Sequence, residues 1–232
     1  MKYELTDKTI VTTLGILYQV RALKSFNDVN AGDYGGYIES VENLSQYGNA
    51  WVYDNARVSG DARVSGDARV YDNARVSGGA RVYDNAWVYG GAWVYDNARV
   101  SGGAWVYDNA RVSGDAWVYD NARVSGGAWV SGGARVSGGA WVSGGARVSG
   151  DARVYGGAQI SGDAQVNATK EYLCIGPVGE DRYITVTKSN GIIKAGCFLG
   201  SINDFEKAVD AKYEGSGDYY PTIKYIKNWL NQ

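Results

Sequence analysis

Histidine is absent from this chain of 232 residues, and cysteine and proline each occur only twice. Without histidine, the commonest general base at neutral pH and the commonest zinc ligand are both missing. Cys174 and Cys197 are too few for a disulfide framework or for a zinc site without histidine partners. We expect both to be reduced thiols packed in a small domain, and the sequence predicts neither a metal ion nor a cofactor.

Long apolar runs and a strong charge imbalance are also lacking. The formal net charge is -2, which predicts no strong attraction to nucleic acid or to a membrane surface. No segment approaches the ~20 apolar residues of a membrane span, and the charged start MKYELTDKTI has no signal-peptide core. We therefore expect a cytoplasmic protein without membrane contact, for which a nucleic-acid partner is not favoured.

Glycine is abundant, with 33 residues, but it recurs at a fixed spacing. Aligned on alanine, residues 50–169 form twenty consecutive hexads of the pattern A-[RWQ]-[VI]-[YSN]-x-x without an insertion. The alternation places Ala and Val on one side and Arg or Trp with Tyr or Ser on the other, which is the period of a strand. The DN, GD and GG pairs that follow accept the positive φ of a tight corner. Each hexad is therefore predicted to be a short strand followed by a turn.

A short period without gaps predicts a solenoid, because an insertion would break the stacking of each unit on its neighbours. Alanine and valine are small, so the interior must be narrow. A narrow tube favours three strands and three corners in each coil, which takes three hexads. The repeats then form about seven coils, and the rod is on the order of 30 Å long at a strand spacing of ~4.8 Å.

Both flanks of the repeat are predicted to cap the open ends of the solenoid, since unpaired strand edges invite stacking between molecules. Residues 1–49 contain two strand-like runs, YELTDKTIV and ILYQVRAL, joined by a turn near Gly15. We expect them to form a small N-terminal β cap that leads into the first coil.

The C-terminal flank, residues 170–232, is predicted to be a small α+β cap. An Asn190-Gly191 pair is a strong hairpin signal between its two strand-like runs. Ser201 and Asp204 form a capping pair that predicts the start of a helix. Pro221 predicts the start of a second helix with its own apolar stripe.

The hexad, with an aliphatic residue followed four positions later by a small one, resembles the hexapeptide-repeat proteins that form left-handed parallel β-helices. Residues 23–56, LKSFNDVNAGDYGGYIESVENLSQYGNAWVYDNA, resemble the start of uncharacterised bacterial and phage members of that group. The tail motifs YLCIGPVG, GCFLGS and DFEKAV are similar to the small C-terminal domain of phage and prophage members. The resemblance implies a mainly β, left-handed parallel β-helix with a mobile-element origin, and it brings no established activity.

Hexapeptide-repeat acyltransferases use a histidine as general base, and the related zinc carbonic anhydrases hold their metal with histidines. This chain has none, so we expect no enzymatic activity. An atypical transferase without the catalytic histidine stays an alternative. Eleven aspartates lie at repeat corners, but eleven repeat arginines match them and the nonapeptide spacing of calcium-binding β-rolls is missing, which argues against a metal site.

Counting three hexads per coil sorts the outward side chains into three faces. One face stacks aromatic residues in successive coils, and Trp and Tyr are enriched at binding hot spots. We predict on it a partner-binding surface of Trp51, Trp87, Trp105, Trp141, Tyr53, Tyr71, Tyr89 and Tyr107. Another face carries Arg63, Arg81 and Arg99 in successive coils. Because like charges about 5 Å apart repel, these arginines should contact corner aspartates or bind an anion.

These patterns favour a non-catalytic interaction protein of phage or prophage type. Its partner would be a protein that it inhibits or sequesters, such as a host factor, or another copy of itself. Side-by-side homotrimers are what the family resemblance implies. A carbohydrate- or nucleotide-binding module that uses the aromatic face is the alternative from a different class. The aromatic and Arg–Trp ladders could also serve only to brace the rod.

Overall fold

The computed structural model describes residues 1–13, 15–179, 182–213 and 217–232. The chain begins with strands β1 (Tyr3–Thr12), β2 (Gly15–Ala22) and β3 (Tyr34–Ile38), followed by a 3-10 turn (Val41–Asn43). Twenty two-residue strands, β4 to β23, then recur every six residues from Trp51–Val52 to Gln165–Val166. The remaining elements are a 3-10 turn (Thr169–Glu171), β24 (Tyr172–Val178), β25 (Arg182–Thr187), β26 (Ile193–Ala195), β27 (Phe198–Gly200), α1 (Ile202–Tyr213) and α2 (Tyr219–Leu230).

Each repeat strand pairs in parallel with the strands three places before and after it, as Trp87 does with Trp105. Within the described residues, this pairing forms sheets of ten, seven and six strands along the rod. The ten-stranded sheet also takes in β3 and the antiparallel pair of β1 and β2. The repeat region is therefore a parallel β-solenoid of about seven turns. None of the helices in the described ranges is long and apolar enough to cross a membrane.

The interior of the solenoid consists of columns of alanine and valine, as predicted. Every repeat alanine and valine is buried, with at most 1% of its surface exposed. From Trp51 to Arg147, the N–H of each outward Arg or Trp donates to an alanine carbonyl of the next coil, as Arg81 does to Ala98 at 2.9 Å. Apolar columns and a continuous backbone ladder therefore stabilise the rod together.

The corners adopt positive φ at the fifth position of the hexad. Hexads ending in DN place aspartate there, as at Asp72 with φ 58°, and the others place glycine, as at Gly60 with φ 65°, except that the last hexad has Ala168 at φ -142°. Aspartate tolerates this region better than most residues because its short side chain bonds locally. The Asp72 carboxylate accepts the N–H of Gly90 in the next coil at 3.2 Å. Corner aspartates thus have a structural use.

Solenoid stacking starts before the first regular hexad. Leu44 bridges in parallel to Val64, twenty residues further on, whereas Trp51 pairs with Arg69, eighteen residues further on. The corner between Leu44 and Trp51 therefore holds two extra residues, with Gly48 at φ 68°. The first coil is an irregular version of the later ones, and the alanine alignment does not detect it.

The backbone hydrogen bonds between coils all run in one direction, so the two ends of the solenoid lack partners for different backbone groups. Each coil donates N–H groups to the next coil, so the first coil has spare carbonyl oxygens and the last has spare N–H groups. At the start, the buried Lys2 donates from Nζ to the carbonyl of Ala50 at 2.7 Å. The Tyr3 hydroxyl donates to the carbonyl of Leu44 at 2.7 Å. The N-terminal segment therefore supplies donors to match the exposed acceptors.

Thr169 of the last hexad and two residues of the C-terminal segment supply acceptors. On each of the three faces, the N–H of the last outward residue donates to a hydroxyl oxygen in place of an alanine carbonyl. The three bonds are Arg153 N to Thr169 Oγ1 at 3.0 Å, Gln159 N to Thr185 Oγ1 at 2.9 Å and Gln165 N to Ser189 Oγ at 2.8 Å. Both ends of the ladder are thus closed by groups of the correct polarity.

The C-terminal segment has its own apolar core, formed between its four-stranded sheet and the two helices. Ser201 caps α1 as predicted, since its Oγ accepts the N–H of Asp204 at 3.2 Å. Helix α2 begins at Tyr219, two residues before the predicted start. The predicted hairpin joins β25 and β26, but its loop is longer than a two-residue turn because the paired residues end at Val186.

The two thiols differ in environment. Cys174 is partly buried and packs against the solenoid core, and burial raises the pKa of its thiol. Cys197 is exposed in the turn between β26 and β27. The prediction that both thiols are packed is therefore wrong for Cys197. Its neighbour Gly196, at φ 58°, forms the turn and directs this side chain to the surface.

Candidate functional site

A stack of tyrosine rings runs along one face of the solenoid. Tyr71 and Tyr89 lie 4.8 Å apart between ring centroids, with an interplanar angle of 3°. Tyr89 and Tyr107 follow at 5.0 Å and 5°. The in-register pairing of successive coils dictates this arrangement, because it places the same hexad position at one strand spacing in each coil.

Two tryptophans stack beside the tyrosines on the same face. Trp87 and Trp105 lie 5.2 Å apart with an interplanar angle of 4°. Each indole also meets a tyrosine edge-on, at 6.0 Å for Tyr71 with Trp87 and 6.3 Å for Tyr89 with Trp105. We name this set of Tyr71, Tyr89, Tyr107, Trp87 and Trp105 the aromatic strip.

Arginines cover both ends of the indole pair. The Arg69 guanidinium lies 5.1 Å from the Trp87 ring centroid, and the Arg123 guanidinium lies 5.5 Å from the Trp105 centroid. The faces of both indoles are therefore covered, each by the other ring and by one cation. What remains open to solvent is the edges of the rings, and all five residues of the strip are partly exposed.

The hydroxyls of Tyr71 and Tyr89 in the strip remain protonated at neutral pH. Burial and the neighbouring Tyr89 raise the pKa of Tyr71 to about 12. Burial and the neighbouring Tyr107 also raise the pKa of Tyr89. These hydroxyls can therefore donate as well as accept hydrogen bonds, next to apolar ring edges and two fixed cations.

An acidic residue of the N-terminal segment closes the start of the strip. Asp28 accepts a hydrogen bond from the Tyr53 hydroxyl at 3.0 Å and forms a salt bridge with Arg69 at 3.3 Å. Burial, followed by the Asp28 carboxylate, raises the pKa of Tyr53. The repeat pattern contains no signal for Asp28, because it lies outside the hexads. Arg69 and Arg123 were missing from the predicted site, although their column places them beside the tryptophans.

Trp51 is not part of the exposed surface, which corrects its predicted place in the partner-binding set. Only 1% of its surface is exposed. The Phe26 ring lies 5.4 Å from its ring and the Tyr3 ring 6.1 Å, both edge-on. The N-terminal segment folds back over the first coil and buries this indole, so a partner cannot reach it.

Trp141 lies on the predicted face but away from the strip, because Arg123 separates it from Trp105 in the same column. Its Nε1 donates to Ser125 Oγ at 3.1 Å. Trp117 and Trp129 make the same bond on the other two faces, to serines sixteen residues earlier. These indoles brace consecutive coils through a hydrogen bond to serine. Trp87 and Trp105 contact a tyrosine in the position where the other indoles have that serine.

The predicted arginine column is present on another face. Arg63, Arg81 and Arg99 pair in register in consecutive coils, and all three are exposed. Within the described ranges, none of them forms a salt bridge, so contact with corner aspartates does not account for the column. A shallow groove of about 330 Å³ runs along it. The groove is lined by Arg63, Ser65, Gly66, Arg81, Tyr83, Asp84 and Arg99.

Clustered metal ligands are not found in the part of the chain that the structure describes, where no three His, Cys, Asp or Glu residues converge. Three corner aspartates, Asp54, Asp72 and Asp96, instead accept a backbone N–H of the next coil, as Asp96 Oδ2 does from Gly114 at 3.2 Å.

The repeat itself matches a known family. A family model described as the YdcK β-solenoid repeat matches residues 50–66, 56–69, 68–82, 80–96, 92–107, 104–119, 116–132 and 146–162. These stretches hold every residue of the aromatic strip and of the arginine column. No curated protein matches the chain. Across its repeat region, the chain is therefore similar to the YdcK β-solenoid repeat family.

Proposed function

We propose that this chain is a non-catalytic β-solenoid interaction protein that binds a protein partner, or a second copy of itself, through the aromatic strip. The observation that carries the proposal is the strip itself. Five partly exposed aromatic residues lie on consecutive coils of a flat parallel sheet, with Arg69 and Arg123 beside them. Tyr, Trp and Arg are the residue types that dominate binding hot spots.

Rigidity supports this function. The rings are already held by stacking and by edge-on contacts, so little side-chain freedom is lost when a partner binds. Ordering a mobile side chain at an interface costs about 0.5–1.5 kcal/mol, and the strip avoids most of that cost. Its hydroxyls and ring edges offer a mixed polar and apolar surface, typical of protein interfaces.

Stacking of a sugar or a nucleobase on the strip is less well supported. Such binding needs a free ring face, and the faces of Trp87 and Trp105 are occupied by each other and by arginines. Tyr89 is likewise stacked on both sides. A carbohydrate platform would instead require isolated rings lying flat on the surface.

A purely bracing role would also stack these rings. On the other faces, however, tryptophans brace neighbouring coils through a bond to serine, as Trp117 and Trp129 do, without forming a contiguous strip. The concentration of aromatic residues on one face therefore supports a surface role in addition to bracing.

The resemblance to hexapeptide-repeat proteins extends the proposal. It supports a left-handed coil of three hexads, a phage or prophage origin, side-by-side trimers and action in the cytoplasm. A protein of that kind would bind and sequester a host factor, and it would need no cofactor. The missing histidine argues against transferase activity.

The test compares two double variants with the parent protein. Trp87→Ser with Trp105→Ser removes the centre of the strip. Trp117→Ser with Trp129→Ser also removes two indoles, one from each of the other faces, and serves as the control. Sedimentation equilibrium measures self-association, and affinity capture from a lysate followed by mass spectrometry measures partner binding.

We expect the strip variant to lose either self-association or a captured protein that the parent and the control variant retain. Circular dichroism must show that both variants keep the parent's β structure, since all four indoles lie outside the core. Equal mass and equal capture for all three proteins would mean that the strip only braces the rod.

A further inference from the structure

We propose that the groove along Arg63, Arg81 and Arg99 binds a chain of phosphoryl groups, as carried by a nucleoside triphosphate or an inorganic polyphosphate. This site lies on a different sheet from the aromatic strip, so it is independent of the proposed protein-binding surface.

The arginine spacing suits an extended anion with several charges. The three side chains project from strands β6, β9 and β12, which pair in register, so they recur at about 4.8 Å along the rod. A single anion could satisfy only part of a column of three cations. Arginine side chains are long, so the three guanidinium groups can converge on a chain of linked phosphoryl groups and contact several of its charges at once.

Four other arginines of the repeat have an aromatic partner, and the three of the groove do not. Arg69, Arg75, Arg111 and Arg123 each lie over an indole ring. Among the described residues, the three arginines of the groove have neither a stacked ring nor a salt bridge, although the charge of Arg63 interacts with the nearby Glu42 carboxylate. Their guanidinium groups are exposed and repel one another, and a bound polyanion would relieve that repulsion.

The groove offers chemistry beyond charge. Its lining carries three guanidinium groups and one carboxylate, Asp84, so it remains cationic. Guanidinium groups bind phosphate oxygens in a bidentate manner, with fixed geometry. Tyr83 also lines the groove, and serines precede and follow it in its column, at Ser65 and Ser101. Unlike the tyrosines of the strip, it is not stacked between rings and could accept a nucleobase.

Titration calorimetry with inorganic tripolyphosphate tests the site. Arg81→Gln removes the central cation, and Arg135→Gln removes an exposed arginine of the same face that also pairs with a second arginine, Arg153. We expect Arg81→Gln to weaken binding by about tenfold and Arg135→Gln to leave it unchanged, because only Arg81 lies in the groove. The affinity of Arg81→Lys for tripolyphosphate should lie between those of Arg81→Gln and the parent. Lysine keeps the positive charge but lacks the paired N–H donors of the guanidinium group.

Two further measurements separate the sources of the ligand. ATP binding more tightly than tripolyphosphate, with the difference lost in Tyr83→Ser, would assign the site to nucleotides. Equal affinity would assign it to the inorganic chain, and both results support a phosphoryl site. The proposal fails if tripolyphosphate does not bind at about 50 mM salt, or if Arg81→Gln and Arg135→Gln weaken binding equally.

Discussion

Replacing Thr185 by valine tests how the C-terminal segment closes the solenoid. The Thr185 hydroxyl accepts the N–H of Gln159 at 2.9 Å, in the place that a carbonyl of a further coil would occupy. Only 2% of Thr185 is exposed. Valine has nearly the same shape, so the change leaves the packing in place and removes the acceptor, together with the long bond that the hydroxyl donates to Cys174 Sγ at 3.8 Å.

The expected cost follows from the lost acceptor. A partly buried N–H without a partner costs about 1–3 kcal/mol, and water can satisfy part of that loss because Gln159 is not fully buried. We therefore expect Thr185→Val to lower the free energy of unfolding of the last coil by about 1–2 kcal/mol. A loss of about 1.4 kcal/mol corresponds to a tenfold change in an opening equilibrium.

Amide hydrogen exchange is the appropriate assay, because it reports opening at a single residue. Exchange at Gln159 should become about tenfold faster in Thr185→Val, while amides in the middle coils keep their protection. Thr187→Val is the matched control. The Thr187 hydroxyl donates instead to Asn190 Oδ1 within the C-terminal segment at 2.6 Å. Unchanged exchange at Gln159 in Thr185→Val, or an equal change in both variants, would refute this account of the cap.

Two more predictions concern the ends of the rod. Deleting residues 170–232 should expose the N–H groups of the last coil and produce fibres or aggregates, and a truncated protein that sediments as the parent does would contradict capping. Strongly alkaline pH should destabilise the fold, because burial raises the pKa of Tyr3 and of Tyr172 to about 12. The contribution of these two tyrosines to stability is fully present below their usual pKa of 10 and is lost between pH 10 and 12. Lys2 acts in the opposite direction, because burial lowers its pKa to about 8. The folded state loses this proton at a lower pH than the unfolded state, so stability rises between pH 8 and the usual lysine pKa of 10.5. Thermal melts across pH, with tyrosinate absorbance, should therefore show a maximum near pH 10, and a melting temperature that falls steadily from pH 8 would exclude it.

The hexad alone determined the local structure of the repeat. Side-chain direction alternates along any strand, so Ala and Val at alternate positions had to point to the same side and Arg or Trp to the other. The positive φ at Asp72 and Gly60 follows equally from residue type. The arginine column was also predictable, because it needs only a constant period to align Arg63, Arg81 and Arg99.

Contacts between distant parts of the chain decided the rest. The burial of Trp51 depends on Tyr3 and Phe26, which lie outside the repeat, so no count of hexads predicts it. The occupied faces of the indoles depend on side-chain rotamers that the period leaves open. The closure of the last coil by Thr185 and Ser189 depends on where the C-terminal sheet docks. Periodicity sets which way a side chain points, and only tertiary packing decides what it meets there.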